Sequence, residues 1–387
     1  MSLLFGSRVA GTEAAELISR LGGRSSQSAR PVSRETALRT SAVWACLRLR
    51  ADLMSTMPFD VFRKVEGVQV EQSKPPVLVR PGGPGGVRVM EWLYSSQVDL
   101  DSVGNTFAII RARDGANLPS ILEPVPVDDV VVRQRDGITK YLIRGKEYPA
   151  RDVWHEKQFT ASGIAVGLSP IAYAAMTLDR YLNAAEFVAD WFGGNATPAQ
   201  HLKNTAKTLE DGQADKIKAR YKASVETGGV FVSGNDWDLS MISAKASESA
   251  FIESMDAGVT DICRFLGVPG DMIDAPTRGS SVTYANVTQR NMQLLILNLG
   301  PALARREDAI SADLLPQPRY IKFNPGSLLR MDLAARYTSY RTGIEGRFLT
   351  PNEARDYENL PPLTPEQEAE FARLSPANQP VPTGAIP

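Results

Sequence analysis

An α+β fold is what the sequence predicts, and three observations carry it. Two heptad-patterned helices between Ser169 and Gly267 bracket a compact insert, a block of short β-rich runs precedes them, and an apolar helix with several short capped helices follows. In the first patterned helix Ile171, Ala175, Leu178, Leu182, Ala185, Ala189 and Phe192 step by four and three. In the second, Ile252, Met255, Val259, Ile262 and Leu266 step by three and four. Each stripe is a seam for packing along another helix, and a pair of such helices suits the wall of a pore between repeated subunits.

In chain order, residues 22–31, rich in Gly, Ser and Arg, read as a flexible linker after a short arm. A helix is expected from Ser33 to Met57, with Val43, Leu47, Ala51 and Met54 on one face and Pro58 ending it. Residues 59–63 read as extended, Pro75 to Gly86 as a loop, and Val89 to Leu100 as a short helix. Strands are expected at Thr106–Arg111, Val130–Arg133, Tyr141–Ile143 and Val153–His155, separated by turns that include Asp114-Gly115 and Asp136-Gly137. Ser169-Pro170 starts the first seam helix, because the Ser hydroxyl accepts an orphan backbone N–H and Pro presets the first helical φ. Gly193-Gly194 stops it after a length of roughly 36 Å at 1.5 Å per residue.

The insert reads as strand, helix, strand at His201–Lys203, Asp211–Val225 and Gly229–Ser233. After the second seam helix a loop from Val268 to Ser281 leads into a helix from Val282 to about Asp313. Leu333, Tyr337, Tyr340 and Ile344 mark another helix, and Thr350-Pro351-Asn352-Glu353 and Thr364-Pro365-Glu366-Gln367 are capping boxes. The tail from Ser375 is poor in core formers.

With 387 residues, 43% hydrophobic and 22% charged, the chain buries a sizeable core and holds two or three modules. A net charge of −1 excludes a surface that grips nucleic acid everywhere. The first 64 residues are basic on balance and the last 38 acidic, which suits head-to-tail contact. The only cysteines, Cys46 and Cys263, sit in apolar helical patterns and read as two buried thiols of a reducing compartment. The most apolar run, Leu294 to Leu299, is too short for a membrane span, so a soluble chain is expected.

No residue pattern demands chemistry, and neither a cofactor nor a metal site is expected. A P-loop signature is absent, and the glycines of Pro81 to Gly86 read as a plain loop. Asp99-x-Asp101 before Gly104 reads as a structural turn rather than a calcium loop. His155 and His201 lack metal-ligand partners at suitable spacing and read as surface or β-edge residues. Asp128 and Asp129 read as a solvated turn, and Arg305-Arg306 as charges near a helix end that satisfy carbonyls.

Several segments, in order, resemble the portal proteins of long-tailed bacteriophages with double-stranded DNA, over about Ser33 to Pro362. They are Ser41-Ala42-Val43-Trp44-Ala45-Cys46 with Met57-Pro58-Phe59; Gly104-Asn105-Thr106-Phe107; Gly167-Leu168-Ser169-Pro170-Ile171; Ile262 to Pro269; and Leu349 to Arg355 with Leu360-Pro361-Pro362. The resemblance implies a portal-type fold with a β-rich wing at 33–168, stem helices at 169–193 and 247–267, a small α/β clip at 194–246, and a tunnel loop at 268–281. A long helix and returning wing strand would span 282–331 and a helical crown 332–372, between a flexible arm at 1–32 and a disordered tail at 373–387.

It further implies a dodecameric ring at one capsid vertex that conducts double-stranded DNA during packaging and ejection. That ring would dock the terminase large subunit and a head-tail adaptor, contact the major capsid and scaffold proteins without a membrane, and be assembled in the bacterial cytoplasm for the virion. A different head-tail connector or adaptor ring is the alternative, and a hydrolase using Asp128 and Asp271 a third reading. Carried onto this sequence, the acidic stem residues are Glu186, Asp190, Glu253, Asp256 and Asp261, and the tunnel-loop residues of the DNA channel are Asp271, Asp274, Arg278, Ser280 and Ser281. The clip docking residues are Lys216, Lys218, Arg220 and Lys222. The stem carries net negative charge, and an acidic wall lets DNA slide where a basic one would bind it by counterion release.

Overall fold

A computed structural model describes residues 33–135, 137–192, 200–204, 212–226, 237–241, 248–275, 284–326, 333–358 and 360–374. The chain divides into two units, one ending at Phe323 and one starting at Asn324. The predicted helix over 33–57 is two helices. Ser33 caps α1 (Arg34–Leu38) by accepting from the Thr36 N–H, and the chain turns at Thr40 into α2 (Ser41–Thr56). Met57, held extended by the proline after it, ends α2. Val43, Leu47, Ala51 and Met54 are all buried.

β1 (Phe59–Val65) returns through Glu66 and Gly67, both at positive φ, into β2 (Val68–Gln72). On its other side β1 pairs antiparallel with β11 (Arg319–Phe323), where Phe59 packs on Phe323. After the short α3 (Pro76–Val79) comes α4 (Val89–Val103), three residues longer than predicted. Asp99 and Asp101 therefore lie in a helix and not in a turn. Both are drawn into ion pairs, Asp99 with Arg34 and Asp101 with Arg50.

Two three-stranded antiparallel sheets follow. β3 (Asn105–Arg113) lies between β4 (Pro119–Val125) and β8 (Val153–Lys157), while β5 (Val130–Arg135), β6 (Ile138–Ile143) and β7 (Lys146–Pro149) form a meander. Their facing residues, among them Phe107, Ile109, Val125, Val130, Val132, Tyr141, Ile143 and Val153, make one core with Val103, Val127 and Val166. β4 escaped the sequence reading because Pro119 and Pro124 argue against a strand; as the edge of its sheet it tolerates the missing donors.

The β-rich block joins the first seam helix at a backbone crossing. A Cβ on Gly104 would lie 2.2 Å from the Leu168 carbonyl oxygen, and one on Gly167 would lie 2.0 Å from that of Gly104 and 2.3 Å from that of Gln158. Asn105 fastens the crossing from inside: its amide donates to the Gly167 and Val103 carbonyls, and its Oδ1 accepts from the Gly167 N–H at 2.7 Å. That same oxygen faces His155 Nε2 at 3.0 Å, while Tyr141 Oη meets Nδ1 at 3.0 Å. Because Oδ1 can only accept, Nε2 carries the proton and Nδ1 takes the phenol's hydrogen bond. His155 does lie on the edge strand β8, but its ring is no surface group: it stacks on Phe107.

Ser169 caps α5 (Pro170–Tyr173) and donates to the Ser102 carbonyl, and α6 (Ala175–Phe192) continues after a break at Ala174, so the expected single rod has a joint near its base. The insert contains β9 (Gln200–Asn204), α7 (Gln213–Glu226) and β10 (Trp237–Met241), with β9 and β10 antiparallel. The strand predicted at Gly229–Ser233 lies outside the described residues, and β10 follows it. α8 (Glu248–Leu266) is the second seam helix.

From Tyr284 the predicted long helix runs as α9 (Tyr284–Gln293), a π-helical segment at Leu294–Leu299, and α10 (Gly300–Leu314). The widened turn, in which the Gly300 N–H reaches the Leu295 carbonyl, precedes Pro301, whose ring would collide with a carbonyl in a regular α-helix. Among the described residues no helix is long and apolar enough to cross a membrane.

The second unit holds α11 (Leu333–Glu345), α12 (Pro351–Tyr357) and α13 (Pro365–Leu374). Thr350 and Glu353 close the predicted capping box, and Thr364 exchanges bonds with Gln367 in the same way. Arg336 and Tyr340 both reach Glu358, and Arg355 donates to the Pro361 carbonyl.

Gly167→Ala places a methyl inside the van der Waals radius of two carbonyl oxygens and is expected to lower unfolding free energy by about 3 kcal/mol or more, among the largest single-residue effects; denaturant titration measures it. Burial lowers the His155 pKa from 6.5 to about 3. The unfolded chain thus binds the proton first, so the stability tied to the neutral ring is whole above pH 6.5 and is lost as pH falls toward 3. His155→Gln is expected to flatten this part of the thermal-midpoint profile.

Candidate functional site

The base of the paired seam helices is where three segments of the chain meet. Ala42, Val43, Cys46 and Leu47 of α2, Ile171, Ala174 and Leu178 at the start of the first seam helix, and Ile262, Cys263, Leu266 and Val268 at the end of the second form one buried cluster. From this base α6 and α8 run side by side. Gly258 allows the close approach, since a Cβ there would lie 2.8 Å from the Tyr181 ring. The predicted seams are buried only near the base. Ile171, Leu178, Ile262 and Leu266 are enclosed, Leu182, Ala185, Met255 and Val259 are half-buried, and Ala189 is exposed.

The predicted acidic residues fall at different places on this pair. Glu186 and Glu253 are exposed, and Asp256 and Asp261 are half-buried, Asp261 in an ion pair with Arg264. Asp190 lies on α6, its side chain outside the described set.

Past Gly267, at positive φ, the loop forms a 3-10 turn at Gly270–Ile273 and reaches Asp274 in the left-handed region, exposed. Asp271 turns toward the long helix, where Arg290 meets it at 2.6 Å. Its charge is therefore already partnered. Arg278, Ser280 and Ser281 lie outside the described residues.

On α7, Lys216, Lys218 and Arg220 are exposed. A two-residue step is just over half a helical turn, so Lys216 and Arg220 share one side and Lys218 stands opposite. Lys222 is on the same helix, its side chain outside the described set. Asp128 is exposed beside Arg34, and Asp129 pairs with Arg144. The two are not brought to Asp271 by any described contact. Among the described residues no group of three or more His, Cys, Asp or Glu could hold a metal ion.

Sequence reasoning missed a buried polar chain that links α2, α4, β8, α10 and the π-helical segment. Arg50 grips Asp101 with two hydrogen bonds of 2.8 and 3.0 Å and donates a third to the Asn298 carbonyl, while the Asn298 amide donates to Gly267 at the end of the stem. Gln97 links Asp101 to Arg306, which also donates to Ser96 and to the Leu93 carbonyl and lies 3.4 Å from Glu156. Arg306 is fully buried in the middle of α10, so the reading of Arg305-Arg306 as helix-end charges holds for neither: Arg305 lies over the Phe159 ring.

A signal did exist. Arg50 falls on the stripe Val43, Leu47, Met54, and Arg306 on the stripe Leu303, Ile310, Leu314. A charged residue on the apolar stripe of a helix calls for a buried partner. Burial opposes the charge of Arg50, but the Asp101 carboxylate outweighs it and leaves the guanidinium pKa above its usual value. Burial raises the Glu156 pKa, and Arg306 offsets part of that. Asp99, half-buried, is pushed up by that burial to about 6 despite Arg34.

Comparison with known proteins gives a consistent set. The family model described as phage portal protein matches residues 41–359. The portal protein of Enterobacteria phage HK97 is 26% identical over 350 residues, covering 86% of this chain and 81% of that one. A probable portal protein of Streptomyces phage phiC31 is 25% identical over 363 residues, covering 88% and 79%. Among solved structures, a HK97 family phage portal protein from Corynebacterium diphtheriae superposes with a TM-score of 0.61 at 19% identity, covering 78% of this chain and 97% of that one. The neck of a native gene transfer agent particle, computed with C12 symmetry, gives 0.57 at 18% identity, covering 91% and 100%.

Arg306→Met strands the Glu156 carboxylate in the core and is expected to cost about 3–5 kcal/mol, because a lone buried charge is worse than none. The double change Arg306→Met with Glu156→Gln is expected to recover a large part of that loss. A double-mutant cycle from denaturant unfolding reads both.

Proposed function

The chain belongs to the phage portal protein family, and from that membership we propose that copies of it close into a ring, dodecameric in the assembled virion, that conducts double-stranded DNA at one capsid vertex. The observation that carries the proposal is the stem: two helices packed along each other, rooted in a buried cluster, with Glu186 and Glu253 exposed along them. The C12 symmetry under which the similar gene transfer agent neck was computed supports twelve copies.

In such a ring the stem acids form an acidic lining. DNA carries a charge about every 1.7 Å of axis, so the lining repels the phosphates and keeps the duplex centred and mobile. Asp261 and Asp271 add little to that field, since Arg264 and Arg290 balance them. Glu186 and Glu253, exposed, and Asp256, half-buried, are the acids assigned to the lining, and Arg278 supplies brief phosphate contacts from the loop. Lys216 and Arg220, on one side of α7, offer a basic face to an acidic partner such as the packaging motor or the adaptor that follows it. Assembly then takes place in the bacterial cytoplasm, where the capsid and scaffold proteins are at hand.

Reversing the lining with Glu186→Lys and Glu253→Lys is expected to reduce packaged DNA and to slow its ejection at low salt, with partial recovery as salt screens the added charge. Arg278→Ala is expected to shorten the packaged length. Quantification of DNA per particle reads both, and unchanged packaging in both variants would remove the acidic-lining reading. Native mass spectrometry of the purified chain is expected to show closed rings. Monomers under every assembly condition would remove the ring.

A further inference from the structure

The two cysteines, 217 residues apart in sequence, are brought together. Cys46 in α2 and Cys263 in α8 are both buried, and the Cys46 thiol donates to Cys263 Sγ at 4.0 Å. They sit inside the buried cluster where α2 meets the base of the paired seam helices. We infer that Cys46 and Cys263 form an oxidisable dithiol, a modification site at which a peroxide-class oxidant closes a disulfide that staples the returning stem helix to the wing. The distance is one that side-chain rotation and a small helix shift can close. Both residues lie within helices, and α2 and α8 are already in contact.

The chemistry balances with one equivalent of peroxide. The Cys263 thiolate attacks a peroxide oxygen, the O–O bond breaks, and water leaves after protonation, giving a sulfenic acid. The Cys46 thiol then attacks that sulfur, the S–O bond breaks, and a second water departs as the S–S bond forms. The pair loses two electrons and two protons, and the peroxide is reduced to two waters. Cys263 is the attacking member because the hydrogen bond from Cys46 lowers its pKa, while that bond and burial raise the pKa of Cys46.

The staple would act on the part of the molecule that leads into the loop. Cys263 lies four residues before Gly267, its carbonyl accepts from the Val268 N–H, and Gly270 stands over its sulfur. Closing the bond fixes α8 to α2 just before the chain turns. A reducing cytosol keeps the pair open and an oxidising exterior closes it; this timing rests on the portal reading, whereas the bond itself does not.

Purified folded protein is treated with hydrogen peroxide, and the thiols are counted after denaturation. Both are expected to disappear together, with a Cys46–Cys263 disulfide peptide in the digest, faster migration on a non-reducing gel, reversal by dithiothreitol, a higher thermal midpoint, and slower amide exchange over residues 262–275. Cys263→Ser is expected to slow loss of the Cys46 thiol roughly tenfold, since the resolving thiol is poorly ionised. Should that variant fold poorly, the thiol count and disulfide peptide of the wild-type chain still decide the outcome. Two intact thiols after treatment overturn the inference. Sulfinic acids or intermolecular disulfides in place of the internal bond overturn it as well. None of these readouts depends on ring formation or DNA.

Discussion

The crossing of two backbones at Gly104 and Gly167 is the constraint on which the rest of the first unit hangs. The carbonyl of one glycine occupies the space where the other would hold a side chain, so the approach leaves no tolerance for even a methyl group. It lies where α4 passes into β3 and where the chain enters α5, and Asn105 ties both passages with a single side chain. The histidine and tyrosine behind it extend the tie into the neighbouring sheet. A force on α5 therefore arrives in the neighbouring sheets through covalent chain and a few buried hydrogen bonds, without a soft linker between.

A second brace runs parallel to the first. Burying two arginines with two carboxylates is a weak way to gain stability, because removing the charges from water offsets most of their attraction. What the chain from Glu156 through Arg306, Gln97, Asp101 and Arg50 to Asn298 does supply is a single arrangement. Five elements, β8, α10, α4, α2 and the π-helical segment, must be in register before its donors and acceptors are matched. The π turn fits this role. It accommodates Pro301, and its Asn298 holds the arginine with a carbonyl and the end of the stem with an amide.

Much of this was legible in the sequence, for identifiable reasons. Period and capping chemistry gave the seam helices, the long helix and the capping boxes at Thr350 and Thr364, because those signals are local. Segments far apart in sequence turn out to be pairs in space: Gly104-Asn105 meets Gly167, and Cys46 meets Cys263, while over a shorter span Arg355 meets Pro361. What was not legible was set by tertiary context. β2 and β7 are too exposed to alternate, and the prolines of β4 are tolerated only because an edge strand needs no second partner. The turn read at Asp99-x-Asp101 is the end of the helix expected over Val89–Leu100, which runs on to Val103 with both acids facing arginines from other elements. The acids assigned to the lining were chosen by residue type and pattern; the structure adds that Glu186 and Glu253 are exposed and that Asp261 is half-buried beside Arg264.

The fading burial along the stem has a consequence of its own. Near Ile171 and Ile262 the helices cannot open without dismantling the core, whereas Leu182, Ala185, Met255 and Val259 are only half-buried and Ala189 is exposed. Over this described span opening energies fall with distance from the root, and the pair behaves like a tapered spring clamped at one end. Compliance concentrated at the free end lets each copy yield to an asymmetric load without passing the distortion back to its anchorage.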